Sequence, residues 1–222
     1  MNVTLLSCTA DGDNLAAAAA AVCYASEPNL SVLKKTIASG HESVIEHVSF
    51  TFKIEDVSRS LLAQLTRHRI ASFSVESQSY VDMRNVQYVV PESIKKNPVC
   101  LKLWKNLMDV ISDAYSAFVD AGIPKEDARS VLPNAACTSI VLTMNARELR
   151  HFFSLRCCNR AQWEIRGVAD AMLAICKRVA PELFYGAGPG CVSGNCPEAS
   201  PCGRHRTEGE WLVLPEQAQV CV

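Results

Sequence analysis

Val48, Phe50, Phe52 and Ile54 alternate with Ser49, Thr51 and Lys53. Strict period-two alternation puts all the apolar side chains on one face of a β-strand. A sheet with one buried face has to be covered by a second layer, and the rest of the chain supplies helices for it. Residues 15–25 are alanine-rich and helical, with Asn14 as the expected cap, and residues 30–39 form a second helix stopped by Gly40. Asp56 or Ser58 caps a helix through Leu61, Leu62 and Leu65, which presents Gln64 and Arg67 on one face. Residues 99–121 read as a long amphipathic helix whose apolar stripe is Leu103, Leu107, Val110, Ala114 and Phe118, closed by Gly122. Pro124 opens a short helix carrying Arg129 and ending before Pro133. Asn145 caps a helix on which Arg147 and His151 share a face and Leu149, Phe152 and Phe153 are buried; residues 161–179 make a further long helix. Short strands are expected at residues 3–7, 86–90 and 138–144, and residues 70–79 read as a serine-rich loop. The expectation is one mixed α/β domain, α+β-like, over residues 1–190, followed by a Gly/Pro/Cys-rich tail at 191–222.

Composition excludes several functions. Lys and Arg total 22 against 23 Asp and Glu, for a net charge of -1. No global basic field is available for a nucleic-acid polymer, and no basic patch interleaved with aromatics appears. The N-terminal residues do not read as a signal peptide, and the longest apolar run, residues 16–22, is far shorter than the roughly 20 residues of a membrane span. A cytoplasmic protein with no membrane partner is expected. Eleven cysteines, an odd number spread along the chain, point to reduced thiols rather than disulfides. The spacings of Cys191, Cys196 and Cys202, with His205 near them, do not match a CxxC site, and His41 and His47 are not at helical metal-pair spacing, so no metal is expected.

The arginines carry the chemical signal. Arg67-His68-Arg69 is either a solvated helix end or, in a non-helical backbone, two guanidinium forks on one side with His68 on the other. Arg129, Arg147, Arg156 and Arg160 each sit beside strongly apolar sequence, where an arginine either pairs with a carboxylate or is aimed into a cleft. For Arg156 the available structural partner is Glu164. Several half-buried arginines at near-zero net charge suit a multiply anionic small ligand. No GxGxxG or GxxxxGK[ST] loop is present, so a dinucleotide would be held by other means.

Arg67-His68-Arg69, seven further residues and then Ser77, with Tyr80 following, resembles the RHRx7S signature of the flavin-dependent thymidylate synthases. Gly40-His41-Glu42 through Glu46-His47, Gln64, the Arg129 to Pro133 segment, Asn145-Ala146-Arg147 and Arg156 through Glu164 resemble other segments of that family in the family's order, over roughly residues 1–190. The resemblance implies a homotetramer with FAD in sites shared between subunits. It implies reductive methylation of dUMP to dTMP, with methylenetetrahydrofolate as carbon donor and NADPH as reductant. Carried over residue by residue, Ser43, Arg67, His68, Arg69, Asn145, Ala146, Arg147 and His151 are flavin contacts. Gln64, Arg67, Val75, Glu76, Ser77, Gln78, Ser79, Arg129 and Arg156 are dUMP contacts, and Arg156 activates the uracil ring. None of the cysteines is needed as a nucleophile. Two departures stand out: Val75 sits where several family members carry a carboxylate or Gln, with Glu76 adjacent, and Ser79 occupies a position where family members carry arginine. The second raises an alternative, a flavin- and nucleotide-binding protein of the same fold with weak or lost synthase activity.

Overall fold

The structure is a computed structural model that describes residues 1–192, 194–207, 209 and 219–220. The expectation for the tail therefore lies partly outside the described residues. The chain divides into two compact units, one of Met1–Ile54, Arg67–Phe73 and Val141–Val222, the other of Glu55–Thr66 and Ser74–Ile140. Helices and a sheet give the mixed α/β class. The strands are β1 (Asn2–Cys8), β2 (Ser49–Ser58), β3 (Ser72–Val75), β4 (Cys137–Asn145) and β5 (Gln219–Val220). Four of them, in the order β3-β4-β2-β1, run antiparallel. β5 adds parallel to β1, with Thr4 opposite Gln219 and Leu5 opposite Val220.

In the first unit, α1 (Gly12–Tyr24) and α2 (Leu30–Ala38) pack on each other, as do α7 (Ala146–Arg156) and α8 (Trp163–Val179). The alternation of β2 buries Phe50, Phe52 and Ile54. Phe50, Phe153 and Phe184 meet edge to face, with ring centroids 5.4 Å and 5.9 Å apart. Burying each such ring stabilises the fold by about 1.5–3 kcal/mol. The start of α1 lies close against the residue before β2: a Cβ on Gly12 would stand 2.7 Å from Val48 Cγ1. The start of α1 differs from expectation. Its N-cap is Asp11, in a left-handed backbone (φ 49°), and Asn14 donates to the Asp11 carboxylate instead of capping. The tail is pinned to this unit, since Arg206 makes two 2.9 Å bonds to Asp170 and donates to the carbonyl of Cys157 at 2.7 Å.

The second unit holds α3 (Arg59–Leu65), α4 (Glu92–Lys95), α5 (Pro98–Asp120) and α6 (Lys125–Ala128). Met83, Tyr115 and Ala128 form its small core with Val86, Val119, Val131 and Leu132 around them, and Tyr115 Oη accepts from the Met83 amide at 3.2 Å. Ser58, one of the two expected caps of α3, accepts from Leu61 N at 3.1 Å. α3 ends at Leu65, so Gln64 lies on the helix and Arg67 beyond it. The strand expected at 86–90 reduces to a single bridge, Tyr88 to Ala136, because the segment turns back after Pro91 into α4. The expected loop at 70–79 contains the edge strand β3, whose alternating half-buried residues Phe73 and Val75 lack the strong apolar contrast that marks β2. The stripe foreseen on α5 largely faces outward: Leu103, Leu107, Val110 and Phe118 are 70, 52, 63 and 40 % exposed and Ala114 is half-buried, while the face turned inward carries Met108 and Tyr115.

Candidate functional site

β4 delivers Asn145 to the start of α7, where its side chain accepts from Glu148 N at 2.9 Å and caps the helix as expected. α7 then projects Arg147, Glu148, His151 and Arg156. Opposite them runs Arg67-His68-Arg69, in non-helical backbone, with the two arginines exposed and His68 buried. Of the two expectations for this tripeptide, the split-face arrangement is the one found.

His68 sits inside a chain of three side chains. Its Nδ1 lies 3.1 Å from Glu148 Oε1, and its Nε2 lies 3.1 Å from Arg156 Nε. An arginine Nε–H can only donate, so Nε2 is the acceptor and the imidazole proton resides on Nδ1, directed at Glu148. Both His68 and Glu148 are buried, 5 % and 7 % exposed. Phe152 packs edge-on against the imidazole at 5.0 Å, and the His151 ring stands 6.1 Å away. Burial pushes the His68 pKa below the ordinary histidine value, Arg156 pushes it the same way, and the Glu148 hydrogen bond only partly offsets them. His68 is therefore neutral at neutral pH. The Arg156 guanidinium is held below its usual pKa by burial and then by the charge of Arg67. Two cations near enough to interact can together hold a multiply charged anion.

Beside this chain lies a cavity of ≈ 450 Å³ lined by Glu42, Glu46, Ile70, Asn145, Arg147, Glu148 and His151. Arg147 bonds Glu46 and stands 3.9 Å from Glu42. Ser43 is exposed on the 3₁₀ turn Glu42–Ile45. Ala146 is buried, and its amide is already donated to the Val48 carbonyl at 2.8 Å. The expected flavin contacts Ser43, Arg67, His68, Arg69, Asn145, Ala146, Arg147 and His151 thus all belong to the first unit. With both ring nitrogens of His68 engaged, any flavin contact from that residue is left to its backbone. The positive end of α7, Arg147 and His151 form a donor set suited to a phosphate-bearing flavin.

Of the expected dUMP contacts, Arg67 and Arg156 belong to the first unit, and Gln64, Val75, Glu76, Ser77, Gln78, Ser79 and Arg129 to the second. In that second unit the loop after β3 is a tight turn: Ser79 N donates to Ser77 Oγ at 3.3 Å, and Tyr80 N and Val81 N donate to the Ser77 carbonyl at 3.2 and 2.9 Å. Gln78 is buried, and Arg129 is exposed with its Nε on the Glu126 carbonyl at 3.0 Å. Arg59 reaches this loop, donating from Nη1 to the carbonyl of Glu76 at 3.3 Å. Burial, then the charge of Arg129, lowers its pKa. Sequence reasoning missed Arg59 and Glu148. Only the spacing Asn145-x-x-Glu148, a capping arrangement, marked Glu148, and nothing local marked Arg59. Among the described residues no group of three or more His, Cys, Asp or Glu is placed to hold a metal ion, and no helix is long and apolar enough to cross a membrane. None of the ten described cysteines is in a disulfide.

The chain is a mixed α/β protein without a glycine-rich nucleotide loop, with Arg147 in the first turn of α7, Arg156 in its last turn and a basic tripeptide whose His68 meets that helix. Residues 4–182 match the family model described as thymidylate synthase complementing protein. The chain is 50 % identical over 219 residues to the flavin-dependent thymidylate synthase of Geobacter sulfurreducens, covering 92 % of this chain and 94 % of that one. It is 43 % identical to the enzyme of the same name from Clostridium tetani, over 92 % and 94 % of the two chains, and 47 % identical to that of Pyrococcus furiosus, over 83 % and 80 %. The chain belongs to this family of enzymes.

Proposed function

We propose that the protein is a flavin-dependent thymidylate synthase in its own right, converting dUMP to dTMP with methylenetetrahydrofolate as carbon donor, FAD as redox cofactor and NADPH as reductant, in the cytoplasm. The observation that carries this is Arg156, a half-buried guanidinium whose Nε is fixed by a neutral, buried His68. A preorganised cation beside N3 of uracil and its neighbouring carbonyl stabilises the ionised ring and makes C5 electron-rich. Arg67 adds a second positive charge there. Arg147, His151 and the N-terminus of α7, with Ser43, Arg69, Asn145 and Ala146, hold the flavin, and Arg147 exchanges Glu46 for the cofactor's phosphate. Bound FAD supplies the two-electron redox chemistry. In the second unit Gln64, Val75, Glu76, Ser77, Gln78, Ser79 and Arg129 are assigned to dUMP. Arg59 provides the cation that position 79 lacks, since its guanidinium already lies at Glu76 O. Purified protein should be yellow, with a flavin absorption band, and should form dTMP from dUMP, methylenetetrahydrofolate and NADPH. Flavin-loaded protein that forms no dTMP would sink the proposal.

The second reading, a binding protein without turnover, is favoured by Ser79 alone. The two separate on Ser79→Arg. With Arg59 filling the place, turnover changes less than about threefold; a charge-assisted bond newly gained would raise it by about tenfold or more.

A further inference from the structure

We infer that Glu148 is a positioning residue for Arg156, acting through His68: its carboxylate holds the proton on His68 Nδ1, which leaves Nε2 as the acceptor that fixes the Arg156 Nε–H. This rests on the reading of Arg156 as the group that activates the uracil ring. The geometry is specific. Glu148 Oε1 to His68 Nδ1 is 3.1 Å and His68 Nε2 to Arg156 Nε is 3.1 Å. Glu148 and Arg156 flank the same imidazole from two turns of one helix, α7, while His68 comes from the segment after α3.

The carboxylate decides what the ring can do. A neutral imidazole has one N–H and one acceptor nitrogen, and the partner of one sets the other. Without an acceptor at Nδ1, the Nε2–H tautomer becomes available and would present a donor to a donor. Arg156 would then lose the contact that fixes its Nε–H, and its guanidinium would shift from the position it holds in the structure. A guanidinium displaced by about 1 Å from the position of developing charge costs on the order of a hundredfold in rate. The groups that face His68 are Glu148, Arg156 and His151. Of these, Glu148 is the one that accepts from Nδ1. A purely structural buried trio would share the distances but would not couple tautomer to turnover.

The test uses flavin-loaded protein. In protein labelled with ¹⁵N-histidine, the His68 signals, assigned by their loss in His68→Gln, should show a protonated Nδ1 and an unprotonated Nε2. Glu148→Gln keeps an acceptor oxygen at Nδ1 and should retain that tautomer, with kcat within about threefold. Glu148→Leu should lower kcat about a hundredfold with little change in the KM for dUMP, because the loss falls on the transition state, and should move the proton to Nε2. A wild-type His68 protonated on Nε2, a Glu148→Leu enzyme of unchanged kcat, or a Glu148→Gln enzyme as crippled as the leucine variant would each overturn the inference. Where Glu148→Leu does not fold, the wild-type tautomer and the Glu148→Gln kinetics decide. Wild-type protein that binds flavin and forms no dTMP defeats the proposed function instead, and leaves the tautomer measurement standing on its own.

Discussion

At the scale of single residues, the site depends on charges whose ionisation the fold has adjusted. His68 is the clearest case. Its folded pKa lies below the ordinary histidine value, first because it is buried and then because Arg156 stands beside it. The folded state therefore prefers the neutral ring. Between the folded pKa and the ordinary value of about 6.5 the unfolded chain binds the extra proton, so stability rises with pH in that window and is complete above it. Lowering the pH through that window should lower the melting temperature, and His68→Gln should flatten the slope. A wild-type melting temperature that rises on acidification would contradict the assigned direction. The pairing of Arg147 with Glu46 is different in kind. Both side chains are substantially exposed, 54 % and 41 %, and exposed pairs contribute little to stability, so separating Arg147 from Glu46 costs little.

At the scale of elements, α7 organises the candidate site because its first turn is capped and carries the carboxylate that meets His68. Asn145 Oδ1 takes the amide of Glu148, and Glu148 in turn takes His68. Asn145→Ala should cost about 1 kcal/mol of unfolding free energy in denaturant titration; an unchanged midpoint would show that the cap is dispensable. Much of this was legible in the sequence. The alternation of β2, the cap at Asn145 and the shared face of Arg147 and His151 were read from spacing alone, since each is set by contacts within a few residues. What was not legible depends on distant partners. Strand propensity at 86–90 lost to a turn, because only one residue pair, Tyr88 with Ala136, finds a ladder partner. The Glu148–His68–Arg156 chain joins residues 80 and 88 positions apart, which no local pattern encodes. Arg59 escaped for the same reason, because its role follows from the carbonyl of Glu76 lying within reach.

At the scale of the whole molecule, the outward stripe of α5 is the main unexplained cost. Val99, Leu103, Leu107 and Val110 are each more than half exposed on one helix, an arrangement that marks an interface. The homotetramer that the family resemblance implies would give those side chains a cover. Leu103→Asp combined with Leu107→Asp should shift the protein to a smaller species in light scattering while keeping the far-ultraviolet helix signal; an unchanged assembly would place the interface elsewhere. The cysteine-rich tail belongs to the same scale. The Arg206 bonds to Asp170 and Cys157 tie it to α8 and the end of α7, so the described part of the tail packs as part of the first unit.

On the proposed function this chain turns dUMP into dTMP and Arg156 drives the step. The most direct measurement is dTMP formation by flavin-loaded wild-type protein and by flavin-loaded Arg156→Ala, from dUMP, methylenetetrahydrofolate and NADPH. Steady dTMP formation by the wild type, with turnover abolished and flavin retained in the variant, is the predicted result. Flavin-loaded wild-type protein that yields no dTMP, or an alanine variant that turns over at the wild-type rate, would contradict it.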